Sequence, residues 1–407
     1  MKDLKIFAEQ IDEKSRRQID ALMEQPAFSD CKARIMPDVH AGKGCVIGFT
    51  ADLGEKVIPN IVGVDIGCGM LCTCLGKLQA DLAELDDAIR RNVPSGFAVN
   101  RNELDAFDEL EAMHCKALLS KPDYLRRSLG SLGGGNHFIE LDRDEEGNMY
   151  LIIHTGSRNL GKQVADLYQK EAVVTLHGNT RYLEFVKALI AEYRAAGRRT
   201  EIQAAIDAIE PPASIPAALC YLEGEARMRY LHDMKICQMF ANRNRELIAR
   251  TIVERMGWEV QDQFHTIHNY IDHESNIVRK GAISAKKNER LLIPLNMRDG
   301  CILGTGLGNE DWNQSAPHGA GRVMSRTTAL ERLTMEDFRG SMQGIYTSSV
   351  CPETLDEAPM AYKSMEDILN HIGDSVETRC ILKPVYNFKA AESHRRIQRR
   401  QQQNLPQ

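Results

Sequence analysis

Apolar positions along the chain fall into two rhythms. Between Ala33 and Leu75 they come as short runs broken by glycines: Arg34–His40, Cys45–Phe49, Ile61–Asp65 and Met70–Cys74. Such runs predict buried strands joined by tight turns. Elsewhere the spacing is helical. A polar helix is expected over Gln10–Met23, stopping before Pro26, and further helices over 78–92 and 103–120. A long helical block is expected over Val164–Met256, broken near Glu210-Pro-Pro-Ala. Leu151–Ile153 reads as a strand end, strands and loops return from Val260 to Leu307, and a mixed helical segment runs to about residue 380. There is no internal repeat.

The last stretch differs. Arg395, Arg396, Arg399 and Arg400 form a basic stripe at helical spacing, read either as an RNA contact or as a solvated terminus. Candidate site residues lie scattered from position 65 to 318, so many segment ends must converge on one cleft. The pattern predicts an α+β fold. It would have one integrated catalytic domain over 1–389, with strands and glycine-rich loops lining a deep metal cleft. A helical insertion would span about 164–256, and 390–407 would form a basic tail.

Composition narrows the class. The 407 residues are 43% hydrophobic and 27% charged, with net charge -6, so any RNA contact must use a local basic surface. The opening Met1-Lys-Asp-Leu-Lys-Ile6 has no apolar leader-like stretch, and no apolar run reaches membrane-spanning length. Eleven cysteines do not resemble a small secreted framework, so a soluble cytoplasmic protein with reduced thiols and no membrane partner is expected.

The most informative string is Ser315-Ala-Pro-His318-Gly319-Ala320-Gly321-Arg322-Val-Met-Ser-Arg326. Its glycines let backbone approach a phosphate closely, and a neutral imidazole can attack phosphorus. Arg322 and Arg326 share a face if a helix starts after Gly321, and can then fork onto phosphate oxygens. Taken alone, the string reads better as a glycine-rich turn around a buried, hydrogen-bonded histidine.

A second constellation suits metal. Asp65-Ile-Gly-Cys68-Gly sets a carboxylate and a thiol three residues apart in a glycine-rich turn. Both groups can bridge two cations. His137, His154 and His268 each stand beside glycine, asparagine or a strand end. Five ligands are too few for two closed tetrahedral sites and about right for two open catalytic ions sharing a bridge. Asp38 and His40 are expected to orient ligands from behind, and Lys43 and Arg158 to bind phosphate. His114, His265 and His273 are read as structural.

Seven segments, in order, resemble the RtcB-type RNA ligases. They are Met36-Pro-Asp-Val-His-Ala-Gly-Lys-Gly44, Gly63-Val-Asp-Ile-Gly-Cys-Gly-Met70, Gly134-Gly-Asn-His-Phe-Ile-Glu140, His154-Thr-Gly-Ser-Arg158, His268-Asn-Tyr270, Arg279-Lys-Gly-Ala282 and His318-Gly-Ala-Gly-Arg322. The likeness spans about Arg34 to Tyr362, and Gln238–Arg245 adds a family-like piece. It implies an RtcB-like fold that joins RNA 2',3'-cyclic phosphate or 3'-phosphate ends to 5'-hydroxyl ends, using GTP and two Mn2+ ions. Cys68 would bridge the ions, His137 and His154 completing one site and Asp65 and His268 the other. His318 would carry the guanylyl group. Asn136, Glu140, Asn269, Cys301, Gly319, Ala320, Gly321, Tyr362 and Lys389 would hold the nucleotide, while Lys43, Arg158, Arg322 and Arg326 would meet RNA or phosphate. Implied partners are tRNA or rRNA with broken ends, GTP, and an activating partner protein. The rival reading is a two-metal phosphoesterase that forms no nucleotidyl-enzyme.

The chain also departs from the family. Pro294-Leu-Asn-Met-Arg298 stands where a Pro-Gly-Ser/Thr-Met-Gly run is usual, Cys301 stands for a serine, and Ala390 and the arginine-rich tail follow Lys389. The departures fall on base selectivity and on the RNA substrate, and imply a divergent, repair-type bacterial paralogue.

Overall fold

A computed structural model describes residues 3–177, 180–202, 205 and 215–390. The expectations for the basic stripe and for the break at Glu210 lie outside the described residues. The framework is a strongly curled sheet whose main path runs Arg290–Asn296, Gly300–Gly306, Val376–Lys389, Phe138–Arg143, Met149–Thr155, Gly69–Gly76, Asp262–Ile267. Neighbours on this path are antiparallel. The short strand Tyr346–Thr347 adds a parallel partner to Val376–Lys389.

Both faces of this sheet are buried, for different reasons. Leu71, Ile139, Leu141, Leu151 and Ile153 pack against Leu85 and Ile89 of the helix Leu82–Asn92 and Ile248 and Ile252 of the helix Gly224–Met256. On the other face Met70, Cys72, Phe138 and Ile152 meet Leu292, Cys301 and Leu382 from the far side of the same sheet. The edge strands approach each other: Leu292 N donates to Thr266 Oγ1 at 3.1 Å, and Arg290 pairs with Asp262. The sheet is thus a nearly closed barrel with a packed interior.

A second sheet runs Asp3–Ile6, Lys32–His40, Ile47–Asp52, Ile277–Lys280, Asn269–Asp272. It backs onto the largest core, where Phe28 and Phe49 meet edge to face beneath the helices Glu13–Met23, Arg158–His177 and Gly224–Met256. The α+β expectation holds.

Several local expectations do not. Residues 61–65 form no strand: the 3-10 turn Pro59–Ile61 leads into a glycine loop that carries Asp65. Residues 103–120 form two 3-10 turns, Asp108–Ala112 and Lys116–Leu118; Phe107, Leu110, Met113 and Cys115 join the core while Leu118 is exposed. The mixed helical segment expected to about residue 380 gives way to a 14-residue strand, Val376–Lys389, whose first residues fall in that segment. The strand is exposed at Glu377–Arg379, and its last four residues, Tyr386–Lys389, are all buried.

The helix Gly224–Met256 buries polar side chains that sequence alone would leave in water. Asn244 accepts from Gly130 N at 2.8 Å and Ser131 N at 3.1 Å and donates to Gly156 O at 3.2 Å. Arg245, fully buried, donates from Nη1 to Gly67 O at 2.9 Å and to Thr155 O at 2.7 Å. One helix face therefore braces the two loops that carry the candidate ligands. Gly67 is needed at that contact: its φ is +75, and an added Cβ would lie 2.9 Å from Gln238 Cα on the helix.

Phe240, fully buried on the same helix, meets the Phe107 ring edge to face at 5.2 Å. Phe240→Ala is expected to destabilise the fold by about 3–5 kcal/mol through lost burial and a residual cavity, read as a lower denaturation midpoint.

Candidate metal and nucleotide site

Sheet register gathers the candidate ligands. Cys68 precedes the strand Gly69–Gly76, His137 precedes Phe138–Arg143, His154 is next to last in Met149–Thr155, and His268 follows Asp262–Ile267. Met70 pairs with His154 and Thr266, and Phe138 with His154. Antiparallel pairing thus brings four strand ends to one rim of the barrel. Asp65 enters from the glycine loop, and Gly156 allows it close: a Cβ there would lie 2.2 Å from Asp65 Oδ1.

Cys68 Sγ lies 3.5 Å from His137 Nε2 and 3.4 Å from His154 Nε2. His154 Nε2 and His268 Nε2 are 3.4 Å apart, and Asp65 Oδ2 is 2.9 Å from His137 Nε2. Two ligand groups result, Asp65–Cys68–His137 and Cys68–His154–His268, with Cys68 common to both. The shared thiol is as expected, but the partition is not. His137 lies with Asp65, and His154 with His268, the two groups meeting at Cys68.

These residues fit divalent cations. Asp65 Oδ1 and the Nδ1 atoms of His154 and His268 are buried without hydrogen-bond partners. Burial, with neighbouring imidazoles adding to it, holds His154 and His268 well below the usual 6.5, so both present lone pairs. Burial, then the Asp65 charge, pushes the Cys68 thiol well above 9.0. Only a cation makes a thiolate favourable there. Burial raises Asp65, but the hydrogen bond and charge of His137, with Arg158, outweigh it and keep the carboxyl below 3.8. His137 Nδ1 faces Leu132 O at 2.9 Å, which leaves Nε2 for a metal.

His318 stands against this cluster, its ring centroid 5.0 Å from that of His268. It follows the strand Ser315–Pro317, which pairs with Ala282–Ser284. Its Nδ1 lies 2.6 Å from Asp38 Oδ2, and its backbone N donates to the same oxygen at 3.2 Å. Asp38 thus orients His318 and not a metal ligand, which corrects the expectation for it. His40 anchors Nδ1 on Asp38 O at 2.9 Å and lies stacked 6.4 Å from the His318 ring.

A cavity of about 740 Å³ opens beside His318. His40, Asn136, Glu140, His154, Gly319, Ala320, Gly321, Arg322, Arg326, Tyr362 and Lys389 line it, as do Lys14, Asn296 and Glu357, which sequence reasoning missed. Glu357, 2% exposed, is the hub of one wall. It accepts from Tyr362 Oη at 2.5 Å, lies 3.5 Å from Arg322 Nη1, and pairs with Lys389 and Arg326. Arg326 also pairs with Asp356. The helix begins at Arg326, so Arg322 and Arg326 do not share a helix face. They converge through Glu357 instead, a contact no sequence spacing signals.

Other expected contacts lie elsewhere. Lys43 is exposed and 3.8 Å from Asp166 Oδ1, away from the cavity lining. Arg158 is held by Gly96 O at 3.0 Å and Ser131 Oγ at 3.3 Å, near Asp65. Asn269 accepts from Gly281 N at 3.0 Å and supports the Asp65 loop. Cys301 is buried in the barrel beside Asp142 and does not line the cavity. All eleven cysteines are unpaired, and no helix among the described residues is long and apolar enough to cross a membrane.

Comparison with known proteins identifies the family. A family profile described as "tRNA-splicing ligase RtcB" matches residues 18–122 and 110–390. RNA-splicing ligase RtcB of Escherichia coli K12 is 32% identical over 398 residues, covering 87% of this chain and 89% of that protein. A second E. coli protein, RNA-splicing ligase RtcB2, is 27% identical, covering 82% of this chain and 81% of its own. The tRNA-splicing ligase RtcB of Aeropyrum pernix is 28% identical, with 82% of each chain covered.

Two outcomes follow from the geometry. Saturating Mn2+ is expected to raise the unfolding temperature, by about 2.7 kcal/mol of stabilisation at a hundredfold excess over Kd, and Cys68→Ala to abolish that shift in a thermal melt. Glu357→Gln strands three cations and is expected to cost about 3–5 kcal/mol. Burial raises the Glu357 carboxyl, but Lys389, Arg326 and Arg322 outweigh it and hold the folded group well below 4.5. Its contribution is therefore complete above about pH 4.5 and lost as pH falls toward the folded value. Wild-type and Glu357→Gln stabilities measured down a pH series should converge in acid.

Proposed function

Because the chain belongs to the RtcB family of RNA ligases, we propose that it joins RNA 2',3'-cyclic phosphate or 3'-phosphate ends to 5'-hydroxyl ends. GTP is the co-substrate and two Mn2+ ions are the cofactors. The observation that carries this reading is His318, fixed by Asp38 at 2.6 Å beside two cation sites that share Cys68. A phosphoesterase needs the ions but not an imidazole held in this way.

Asp38 keeps a proton on His318 Nδ1, so Nε2 is the nucleophile, much as a buried aspartate sets the histidine of a catalytic triad. Nε2 attacks the α-phosphorus of GTP: an N–P bond forms and pyrophosphate leaves with the broken P–O bond. An oxygen of the RNA 3'-phosphate then attacks the guanylyl phosphorus. His318 is released, and the RNA carries a 3'-pp-guanosine end. The 5'-hydroxyl attacks the RNA phosphorus, loses its proton, expels GMP and leaves a phosphodiester. Guanylylation is needed because a bare 3'-phosphate has no good leaving group. A cyclic phosphate is first opened by water.

Bound cations, held by Asp65, Cys68, His137, His154 and His268, supply charge neutralisation at the reacting phosphates. The remaining work falls to the cavity. Asn136 and the backbone of Gly319, Ala320 and Gly321 line the phosphate region beside His318. Glu140, Tyr362 and Lys389 line the same cavity and are assigned to the base. Arg322 and Arg326 offset triphosphate or RNA charge, and Arg158 and Lys43 are assigned to RNA. The substrates are broken tRNA or rRNA in a reducing cytoplasm, with an activating protein as a further partner.

The test is incubation with α-labelled GTP and Mn2+. Protein-bound label is expected that survives alkali and is lost in acid, as a phosphoramidate is, and it should vanish in His318→Ala. Asp38→Asn is expected to slow labelling about 100-fold or more, with the metal content unchanged. ATP run beside GTP reads the base preference of the 294–301 segment. Phosphate release from RNA ends by protein that takes up no label would support the phosphoesterase instead.

A further inference from the structure

A second cluster of metal-type donors lies inside the barrel, and apart from Glu140, assigned above to the base, its members have no role in the chemistry above. On the strand Phe138–Arg143, Glu140 and Asp142 alternate onto the interior face, and Cys301 reaches them across the strand Val376–Lys389. One ligand atom from each of Glu140, Asp142 and Cys301 falls within 4.8 Å of the others. Asp142 and Cys301 are 0% exposed, and Glu140 is 2% exposed. Asp142 lies four residues beyond Phe138, about 13 Å further along the strand from the rim that carries the His154 cluster.

The cluster lacks what an apolar interior demands. Both carboxylate oxygens of Asp142 are buried without a nitrogen or oxygen partner, and the side-chain group that interacts with them is the Cys301 thiol. Asn387 donates Nδ2 to Glu140 Oε1 at 2.5 Å, yet its own Oδ1 is buried and unpartnered. Lys389, the nearest cation on that strand, is committed to Glu357. Pro384 stands opposite Asp142 and has no N–H to give. Two acidic side chains and a thiol thus face one another, with a buried amide oxygen on the neighbouring residue. Protons shared among them engage only some of the lone pairs, whereas a cation engages the three groups together.

We propose that Glu140, Asp142 and Cys301, with Asn387 Oδ1 as an additional oxygen, form a third cation site, for a thiophilic divalent ion of the zinc class. Thiolate excludes Mg2+ and Ca2+, and a mixed sulfur and oxygen set of three or four donors is within the range zinc accepts. Loading displaces the thiol proton and the carboxyl protons to solvent. Burial favours those protonated forms in the metal-free protein, with Glu140 raised to about 7 and Asp142 and Cys301 raised further by their neighbours' charges. Glu140 also lines the cavity, so an occupied site fixes its carboxylate as an anion at the end assigned to the base.

The experiment needs neither GTP nor RNA, so its outcome is separate from that of the ligase reading. Full-length Cys68→Ala protein, which lacks the bridging thiol at the rim, is titrated with Co2+. A thiolate-to-cobalt charge-transfer band in the near ultraviolet is expected. It should be lost when Cys301→Ser is added, and weakened at least tenfold in affinity when Asp142→Asn is added. In wild-type protein equilibrated with Zn2+, metal analysis should give three ions per chain, falling to two in Cys301→Ser, a near-isosteric change that leaves the packing intact. A band that persists in Cys301→Ser, or Asp142→Asn protein that is more stable with unchanged metal content, would overturn the proposal and leave a proton-sharing carboxyl pair.

Discussion

A thiol within 3.5 Å of two imidazole nitrogens, in a pocket without water-facing relief, is the constraint on which the rest of the structure depends. Cys68 cannot ionise there unaided, and the imidazoles around it cannot all be protonated. Such a cluster is stable only if the surrounding chain holds it more firmly than it repels itself. Arg245 does part of that work without touching a ligand: its guanidinium binds the carbonyls of Gly67 and Thr155, neighbours of Cys68 and His154. Asn244 does the same for the Gly130–Ser131 turn and Gly156. A cation at Cys68 and the long helix are therefore coupled through backbone carbonyls.

What could be read from the sequence follows from how local each signal was. Glycine-flanked residues at strand ends are local signals, so Asp65, Cys68, His137, His154 and His268 could be singled out as candidates, and the structure brings them together; the apolar run Met70–Cys74 is equally local. Their partition was missed because it depends on which loop lies over which strand end. Asp38 was placed behind a ligand, yet it serves His318, since the strand Lys32–His40 reaches the His318 loop through three-dimensional packing alone. Glu357 carried no signal: an acidic residue before Ala-Pro reads as surface until Arg322, Arg326 and Lys389 close around it. The strand Val376–Lys389 shows no steady polar alternation, since Glu377–Arg379 are exposed in a row while Tyr386–Lys389 are buried in a row.

Charge in the cavity is arranged in two tiers. At the His318 end the lining is imidazole and backbone, with His154 and His268 held in the neutral form by burial. At the other end, three cationic side chains share one buried carboxylate, Glu357. Lys389 pairs with Glu357, and its charge also lowers the Glu140 carboxyl against the effect of burial. The departures at Pro294–Arg298 and Cys301 fall beside this wall and inside the barrel, not among the ligands at the rim.

The strand Val376–Lys389 is the last described strand of the chain, yet it lies in the interior of the barrel sheet, between Gly300–Gly306 and Phe138–Arg143. During synthesis the two flanking strands emerge long before the one that joins them. A nascent chain thus has an open seam where Glu140 and the lysine wall later meet, while the rim ligands are already translated. Closure of the barrel therefore waits for Val376–Lys389, and a chain stopped short of it keeps every rim ligand but leaves the seam unpaired.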